Sequence, residues 1–147
     1  MNYYFAYGSN LSQEQMKTRC PESQFLGIAT LKNYKLDFTV NSERWGGGAA
    51  DVIEAEGKEV WGALYSLSDS DLVSLDFFEG RPEVYERSEV EVSGPDGKTY
   101  SAQIYKVVQK LSFQTPSVSY IEILRSAAKT LGFSKDYQEY LGTIGNK

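Results

Sequence analysis

The chain has 147 residues, of which 41% are hydrophobic and 24% are charged, and its net charge is −5. A chain of this length fits one core, so we expect a single domain over residues 1–147. Negative charge favours solubility and disfavours contact with a phosphate backbone, so we expect no nucleic acid partner.

Markers of secretion or of membrane insertion are missing from the sequence. The single cysteine, Cys20, excludes an internal disulfide. The first residues lack the basic start and the apolar run of a signal peptide. No apolar run approaches the roughly 18 residues of a membrane-spanning helix. We therefore expect a cytoplasmic protein with no membrane partner.

The sequence contains no histidine, which narrows the possible chemistry. Catalytic triads and dyads with an imidazole base are excluded, as are imidazole metal sites. With one cysteine, a zinc site would rest almost entirely on oxygen ligands, which is unusual for zinc. Proton chemistry near neutral pH would need Asp, Glu, Lys or Tyr, with carboxylates as the first candidates.

The first half of the chain is predicted to consist mainly of strands. We expect a strand at residues 2–7 with a turn at 8–10, a weak helix at 11–19, strands at 25–31 and 34–40, a glycine loop at 45–48, and strands at 49–54 and 58–67 joined near Gly57. In the strand at 34–40, apolar side chains alternate with polar ones. The alternation places Leu36 and Phe38 on one face, and Asp37 and Thr39 on the other.

The clearest predicted helix spans residues 68–78. Ser68 is expected to cap its start, with Asp71 at the third helical position. Gly80 and then Pro82 are expected to end it. The following residues, 84–92 and 99–108, alternate on either side of a strong turn signal and predict a hairpin.

Two further helices are predicted near the end of the chain. Ser117 is expected to cap the first, whose core-facing residues would be Val118, Ile121, Leu124, Ala128 and Leu131. Gly132 would end that helix, and Ser134 would cap a last helix that runs to Leu141. Many short strands with few helices indicate an α+β fold, a small, mostly antiparallel β-barrel with flanking helices.

Glu79 is the first candidate for an acid/base group. It lies seven positions after Leu72 and four after Leu75, so it shares their apolar face if the helix persists. Burial there would disfavour the carboxylate and raise its pKa towards the range useful for proton transfer. Alternatively, the helix ends earlier and Glu79 forms an ordinary ion pair with Arg81 or Arg87. Periodicity alone leaves both interpretations open.

The turn at residues 7–10 and several tyrosines are candidates for binding. Gly8 permits close approach to the backbone, and consecutive N–H groups there can hold a carboxylate or an oxyanion. The alternative is an ordinary turn at a strand end. The tyrosines can present hydroxyls to a ligand or lie in the core with satisfied hydroxyls. They are Tyr85, Tyr105, Tyr120 and Tyr137.

Two segments resemble signature segments of the gamma-glutamylcyclotransferase family. The first is similar to the N-terminal signature of the family and reads Tyr4-Phe5-Ala6-Tyr7-Gly8-Ser9-Asn10-Leu11. The second, Leu75-Asp76-Phe77-Phe78-Glu79-Gly80 followed by Tyr85, resembles the segment that carries the catalytic glutamate. Further similar segments lie in chain order at 35–38, 45–48, 59–62, 116–120 and 136–139. The resemblance thus spans nearly the whole chain.

The resemblance implies a fold, an activity and a set of site residues. The fold is a small barrel with flanking helices, and neither a metal nor an organic cofactor is needed. The α-amino group of a small gamma-glutamyl substrate attacks its own γ-carbonyl and releases 5-oxoproline, with Glu79 as the catalytic acid/base. The implied substrate-binding residues are Tyr4, Phe5, Ala6, Tyr7, Gly8, Ser9, Asn10, Tyr85, Tyr105 and Tyr120. We expect a monomer or a homodimer.

Two departures and three alternatives accompany this interpretation. The family's usual histidine after tryptophan is missing at Trp45. The segment around Glu79 resembles gamma-glutamylamine cyclotransferases equally well, so the leaving group is either an amino acid or an amine. A catalytically silent ligand-binding domain is the second alternative. The third is a glycosidase-like pair of carboxylates, for which Asp76 is the nearest second acid.

Overall fold

The computed structural model describes residues 2–145. Met1, Asn146 and Lys147, which belong to the predicted domain over 1–147, lie outside the described residues. The strands are β1 (Asn2–Ala6), β2 (Gln24–Ser42), β3 (Gly47–Leu67), β4 (Tyr85–Ser93) and β5 (Thr99–Val107). The helices are α1 (Gln13–Arg19), α2 (Asp69–Phe78), α3 (Val118–Leu131) and α4 (Lys135–Thr143).

The strands form a closed barrel in the order β1-β3-β2-β4-β5. All neighbouring strands are antiparallel except β1 and β5, which close the barrel in parallel at Tyr4 and Gln103. Closure removes the exposed strand edges that would otherwise invite aggregation. The predicted fold class, a mostly antiparallel barrel with flanking helices, is confirmed.

Two long strands replace four of the predicted short ones. β2 and β3 pair with each other over nearly their full length, and the pairing is interrupted at Asn33, where residues 55–58 of β3 loop out. Asn33 adopts a left-handed φ of 66° and its side-chain oxygen accepts a 3.1 Å hydrogen bond from the Gly57 N–H. The predicted break near Gly57 is therefore a bulge within one continuous ladder.

Thr39 occupies a second irregularity of the same ladder. The pairing shifts between Phe38 and Val40, so Thr39 is an extra residue on β2. A bulge re-aims the side chain that it carries. The Thr39 side chain is only 2% exposed, and its hydroxyl donates a 2.8 Å hydrogen bond to Asp51 Oδ2. The prediction that Thr39 lies on the polar face of the strand is wrong because simple alternation does not hold through a bulge.

Helix α2 begins as predicted, because the Ser68 side chain accepts a hydrogen bond of 3.1 Å from the Asp71 N–H. Its polar cap satisfies one of the N–H groups that have no partner within the helix.

The end of α2 is closed by a pair of hydrogen bonds. The Arg81 N–H donates to the Asp76 carbonyl at 3.0 Å, and the Gly80 N–H donates to the Phe77 carbonyl at 3.1 Å. Gly80 has a φ of 66°, as this type of helix end requires. Glu79 is the last residue before that turn and keeps helical angles, with φ −83° and ψ −2°. Its side chain therefore continues the helical trajectory.

The two C-terminal helices follow the predicted caps. The Ser117 side chain accepts a hydrogen bond from the Tyr120 N–H, and Gly132 ends α3 with a φ of 84°. One predicted core residue is misplaced, since Val118 is 77% exposed. Val118 is the first residue of the helix, and in this first turn Tyr120 is the buried residue instead.

Candidate active site

A cavity of about 290 Å³ lies where several elements meet. It is bounded by the turn after β1, the end of α2, the beginning of β3 and the first turn of α3. These elements are far apart in the sequence, and closure of the barrel brings them together. The cavity is large enough for a small organic substrate.

The structure brings most of the predicted site residues to this cavity. They are Tyr4, Tyr7, Gly8, Ser9, Asn10, Glu79, Tyr85, Tyr105 and Tyr120. Phe5 and Ala6 do not line it, since both are 0% exposed and belong to the core. Successive side chains of a strand point to opposite faces, which turns Phe5 away from its neighbour Tyr4. Gly62 of β3 has no side chain, and this leaves room for the Phe5 ring and the Ala6 carbonyl.

The Glu79 carboxyl lies in the cavity without a protein partner. Within residues 2–145, it makes no hydrogen bond and no ion pair. Burial raises the pKa of Glu79 from its ordinary value of 4.5 to about 7, and the nearby positive charge of Arg19 limits the rise. A carboxyl with this pKa is divided between its two protonation states near neutral pH and can both accept and donate a proton.

The arginines that might have neutralised Glu79 bind other acids. Arg87 contacts Asp76 at two points, with Nε to Oδ1 at 2.8 Å and NH2 to Oδ2 at 3.2 Å. Arg81 binds Glu86 at 2.8 Å and Asp76 at 3.3 Å. The alternative of an ordinary ion pair from Glu79 to either arginine is therefore wrong.

Asp76 is engaged as a hydrogen-bond acceptor. In addition to its arginine partners, it accepts a 2.6 Å hydrogen bond from the Tyr105 hydroxyl. Burial opposes the charged form, yet the hydrogen bonds from Arg87 and Tyr105 outweigh it and lower the pKa of Asp76. Asp76 is therefore a charged carboxylate that binds Arg81, Arg87 and Tyr105 and so stabilises the local fold. These properties disfavour Asp76 as one member of a glycosidase-like pair of carboxylates.

Two of the tyrosines in the cavity are bound to backbone carbonyls. The Tyr7 hydroxyl donates to the carbonyl of Tyr105 at 2.6 Å. The Tyr85 hydroxyl donates to the carbonyl of Ala50 at 2.7 Å. Because their protons are committed, these two side chains mainly fix the walls of the cavity.

Tyr4 and Tyr120 keep a free hydroxyl proton. The Tyr4 oxygen accepts from Asn10 Nδ2 at 3.0 Å, and the Tyr120 oxygen accepts from the Ala50 N–H at 2.9 Å. Neither hydroxyl donates to an acceptor within the described part of the chain. Burial raises the pKa of both phenols well above 10, so they stay neutral and can donate to a substrate.

The turn at residues 8–11 is held by its carbonyls and by Asn10. The Gly8 and Ser9 carbonyls accept from the N–H groups of Leu11 and Ser12 at 2.9 and 3.0 Å. Among residues 2–145, the N–H groups of residues 8–10 donate to no backbone carbonyl. A Cβ on Gly8 would lie 3.1 Å from the Tyr120 hydroxyl oxygen, so this position accommodates little more than a glycine.

Comparison with known proteins assigns the chain to a family. The family model described as "Gamma-glutamyl cyclotransferase, AIG2-like" matches residues 4–122. The chain belongs to the gamma-glutamyl cyclotransferase, AIG2-like family. The matched range includes every residue that lines the cavity, and the resemblance inferred from the sequence is confirmed.

Individual relatives align with this gamma-glutamyl cyclotransferase family member over nearly its whole length. Proteins named gamma-glutamylcyclotransferase from Bos taurus and Homo sapiens are each 38% identical to it over 146 residues, covering 96% of this chain and 77% of theirs. A solved structure named gamma-glutamyl cyclotransferase superposes with a TM-score of 0.91 at 36% identity. That alignment covers 97% of this chain and 87% of the other.

Three charged residues that line the cavity were not predicted from the sequence, namely Arg19, Glu43 and Arg44, and Arg19 is the buried one. Arg19 lines the cavity and is 7% exposed, although it lies on the short helix α1 that appeared only weakly helical. A weak signal existed, because Met16 is apolar and lies one helical turn before it on the same face. Met16 is fully buried, so that face of α1 turns towards the core.

Two further observations concern residues 2–145 of this family member. No helix there has both the length and the apolar character needed to cross a membrane. No three cysteine, aspartate or glutamate side chains there lie close enough together to hold a metal ion.

Proposed function

We propose that this chain is a gamma-glutamylcyclotransferase that releases 5-oxoproline and a free amino acid or amine from a small gamma-glutamyl substrate. The observation that carries the proposal is the unpartnered Glu79 carboxyl, whose pKa of about 7 suits proton transfer in both directions. The chain is 38% identical to proteins named gamma-glutamylcyclotransferase, and this similarity indicates the reaction in which the carboxyl would act.

The first step is a proton transfer followed by ring closure. The α-amino group of the substrate is an ammonium at neutral pH and cannot attack. The Glu79 carboxylate takes one of its protons and becomes a carboxylic acid. The freed nitrogen lone pair forms a bond to the γ-carbonyl carbon. The γ-carbonyl oxygen takes the displaced electron pair and becomes an oxyanion.

The second step returns the proton to the leaving group. The Glu79 carboxylic acid protonates the nitrogen of the scissile amide, which departs poorly as an anion. The bond from the γ-carbon to that nitrogen breaks, and the oxyanion electron pair re-forms the carbonyl of the lactam. The ring nitrogen still carries a second proton, which Glu79 relays to the departing amine, so the products are a neutral lactam and an ammonium. Glu79 ends as a carboxylate, and the cycle closes without an external acid or base.

Positioning of the γ-glutamyl end falls to the turn and to two hydroxyls. Among residues 2–145, the backbone N–H groups of Gly8 and Asn10 have no carbonyl partner, whereas the Ser9 N–H is directed at the Tyr120 oxygen. The hydroxyls of Tyr4 and Tyr120 keep a free proton. Donors fixed before the reaction stabilise a developing oxyanion and hold the reacting atoms together. We assign these donors to the carboxylate and carbonyl oxygens of the γ-glutamyl group.

We extend the proposal to the setting in which the enzyme acts. We propose one catalytic domain that acts in the cytoplasm as a monomer or a homodimer, with neither nucleic acid nor a membrane as partner. The net charge of −5 supports this setting, since it disfavours contact with phosphate groups.

The proposal is tested by measuring 5-oxoproline from gamma-glutamyl-alanine and from ε-(gamma-glutamyl)-lysine. We expect product from at least one of the two, together with the matching free amino acid in equal amount. Product from the lysine compound alone would assign the amine-specific reaction. Ligand-induced increases in melting temperature without product would overturn catalysis in favour of the silent binding domain.

A further inference from the structure

Arg19 is a buried guanidinium with little to balance its charge. Its only hydrogen bond within residues 2–145 runs from NH1 to Asn10 Oδ1 at 3.2 Å. The guanidinium carbon also lies 4.8 Å from the centre of the Phe78 ring. A buried charge is costly unless it is paired, and one hydrogen bond with one aromatic face leaves most of the donors unused.

The unused donors of Arg19 remain accessible. The buried polar atoms without a partner, among the described residues, are the Tyr65 and Tyr137 hydroxyls and one oxygen of Asp71. No Arg19 nitrogen is among them, so the nitrogens without a hydrogen bond keep access to solvent space. Arg19 lines the main cavity and a second cavity that shares Arg44 and Phe78 with it. A ligand in that space can therefore reach them.

Arg44 lies at the rim of the same space. It lines both cavities, and its guanidinium carbon lies 5.4 Å from the centre of the Trp45 ring. Trp45 in turn packs edge-on against Tyr120, with ring centres 5.3 Å apart. The exposed Arg44 side chain is thus stacked on a wall of the cavity. Burial, and then the positive charge of Arg44, lower the pKa of Arg19, which is the sign of two like charges close together.

No acid of the described chain forms an ion pair with Arg19 or Arg44, although the negative charge of Glu79 favours the charged form of Arg19. Glu43 and Glu79 also line the main cavity, yet neither forms an ion pair with Arg19 or Arg44. Two guanidinium groups that line the same two cavities, in a protein with a net charge of −5, form a local anion site. Guanidinium favours planar carboxylate oxygens, which it can bind at two points.

We propose that Arg19 and Arg44 bind the carboxylate of the amino acid that leaves, and so determine specificity for gamma-glutamyl amino acids over gamma-glutamyl amines. This inference rests on the proposed function. A gamma-glutamyl amino acid carries two carboxylates, and the turn at 8–10 with its neighbouring hydroxyls serves the one on the γ-glutamyl end. The second carboxylate lies on the other side of the scissile bond, and we assign it to Arg19 and Arg44, the two cationic side chains among the described residues that line the cavity.

The test compares two substrates that differ in one group. Gamma-glutamyl-ethylamide is gamma-glutamyl-alanine with the alanine carboxylate replaced by hydrogen. We expect the parent enzyme to prefer the alanine compound, and Arg44→Gln to lower the ratio of the two kcat/KM values about tenfold, mainly through KM for the alanine compound. Arg19→Gln is expected to lower the ratio in the same direction. Lys17→Gln, the same change of charge on the exposed side of α1, is the matched control and should keep the parent ratio.

The outcomes separate the two proposals. Absence of 5-oxoproline from both substrates in the parent enzyme would overturn the proposed function and this inference with it. Turnover with an unchanged ratio in Arg44→Gln would overturn this inference alone. Because the buried Arg19 can be needed for folding, Arg44→Gln decides the result if the Arg19 variant does not fold.

Discussion

The Tyr7 hydroxyl donates a 2.6 Å hydrogen bond to the backbone carbonyl of Tyr105, which ties the end of β1 to β5. The Tyr105 hydroxyl donates in turn to Asp76 Oδ1 at 2.6 Å. Tyr7 leads into the turn that we assign to the γ-glutamyl group, and Asp76 lies three residues before Glu79. Tyr105 therefore couples the binding turn to the helix end that carries the acid/base group.

Removal of the Tyr105 hydroxyl should weaken both the fold and the site. In Tyr105→Phe, Asp76 keeps its arginine partners but loses a buried donor to a charged acceptor, which we expect to cost about 2 kcal/mol of unfolding free energy. The measurement is urea unfolding, together with kcat for 5-oxoproline release, which should fall as the end of α2 loosens.

Tyr100→Phe is the matched control for that change. The Tyr100 hydroxyl also donates to an aspartate, Asp96 Oδ2 at 2.8 Å, but at the exposed β4–β5 turn. We expect a much smaller loss there, because water replaces the hydrogen bond at an exposed site. Equal losses in the two variants would contradict the coupling role of Tyr105.

Asp51 secures the strand that holds two of the tyrosines in the cavity. It is 0% exposed and accepts hydrogen bonds from Thr39 Oγ1 at 2.8 Å, the Val107 N–H at 3.0 Å and Lys110 Nζ at 2.6 Å. The preceding residue, Ala50, binds the hydroxyls of Tyr120 and Tyr85 through its N–H and its carbonyl.

Loss of Asp51 should therefore cost much more than loss of its cationic partner. We expect Asp51→Ala to lose about 3 kcal/mol or more, because several buried donors are left without an acceptor. Lys110→Ala should lose only about 1 kcal/mol, since that side chain is 40% exposed and Asp51 keeps its other donors. Denaturant unfolding of both variants measures the difference, and a larger loss in the lysine variant would refute this account.

Local signals in the sequence were sufficient for the ends of helix α2, and they made Glu79 a candidate without fixing its partner. The cap at Ser68 and the stop at Gly80 are short-range features, and they are where the sequence placed them. The spacing from Leu72 and Leu75 placed Glu79 on the inward face only if the helix persisted, and the helical angles of Glu79 decide between the two interpretations. Short-range chemistry decides such features, so one sequence reveals them.

Features that depend on distant pairing were not predictable from the sequence. Thr39 turned inward because the ladder between β2 and β3 shifts by one residue, which alternation along one strand cannot reveal. Arg19 reached the cavity only because closure of the barrel brings α1 beside the end of α2. The sequence also could not show which tyrosines have their hydroxyl bound to a backbone carbonyl. The carbonyls that bind Tyr7 and Tyr85 belong to residues 98 and 35 positions away in the chain.

The raised pKa of Glu79 should make stability depend on pH in a defined direction. Between its ordinary value of 4.5 and its folded value of about 7, the folded state binds more protons at this group than the unfolded state. Stability therefore falls as the pH rises through that window. Above pH 7 the buried carboxylate costs at most about 3 kcal/mol.

The variant Glu79→Gln has no charge at this position, so it lacks the loss of unfolding free energy that the parent shows at high pH. We expect the variant to gain stability over the parent at pH 8, and to show little of that gain at pH 4.5, where the parent carboxyl is protonated in the fold. Unfolding free energies of both proteins at the two pH values measure the effect. A difference between variant and parent that is the same at both pH values would contradict a raised pKa.

The most direct test of the account is the rate of 5-oxoproline release by Glu79→Gln. The amide keeps the size of the side chain but can neither accept nor donate the proton. With Glu83→Gln as the control, the same change at an exposed position that does not line the cavity, we expect kcat/KM to fall at least about 100-fold only in the Glu79 variant. Near-parental turnover by a folded Glu79→Gln protein would contradict the central claim that this carboxyl carries the proton.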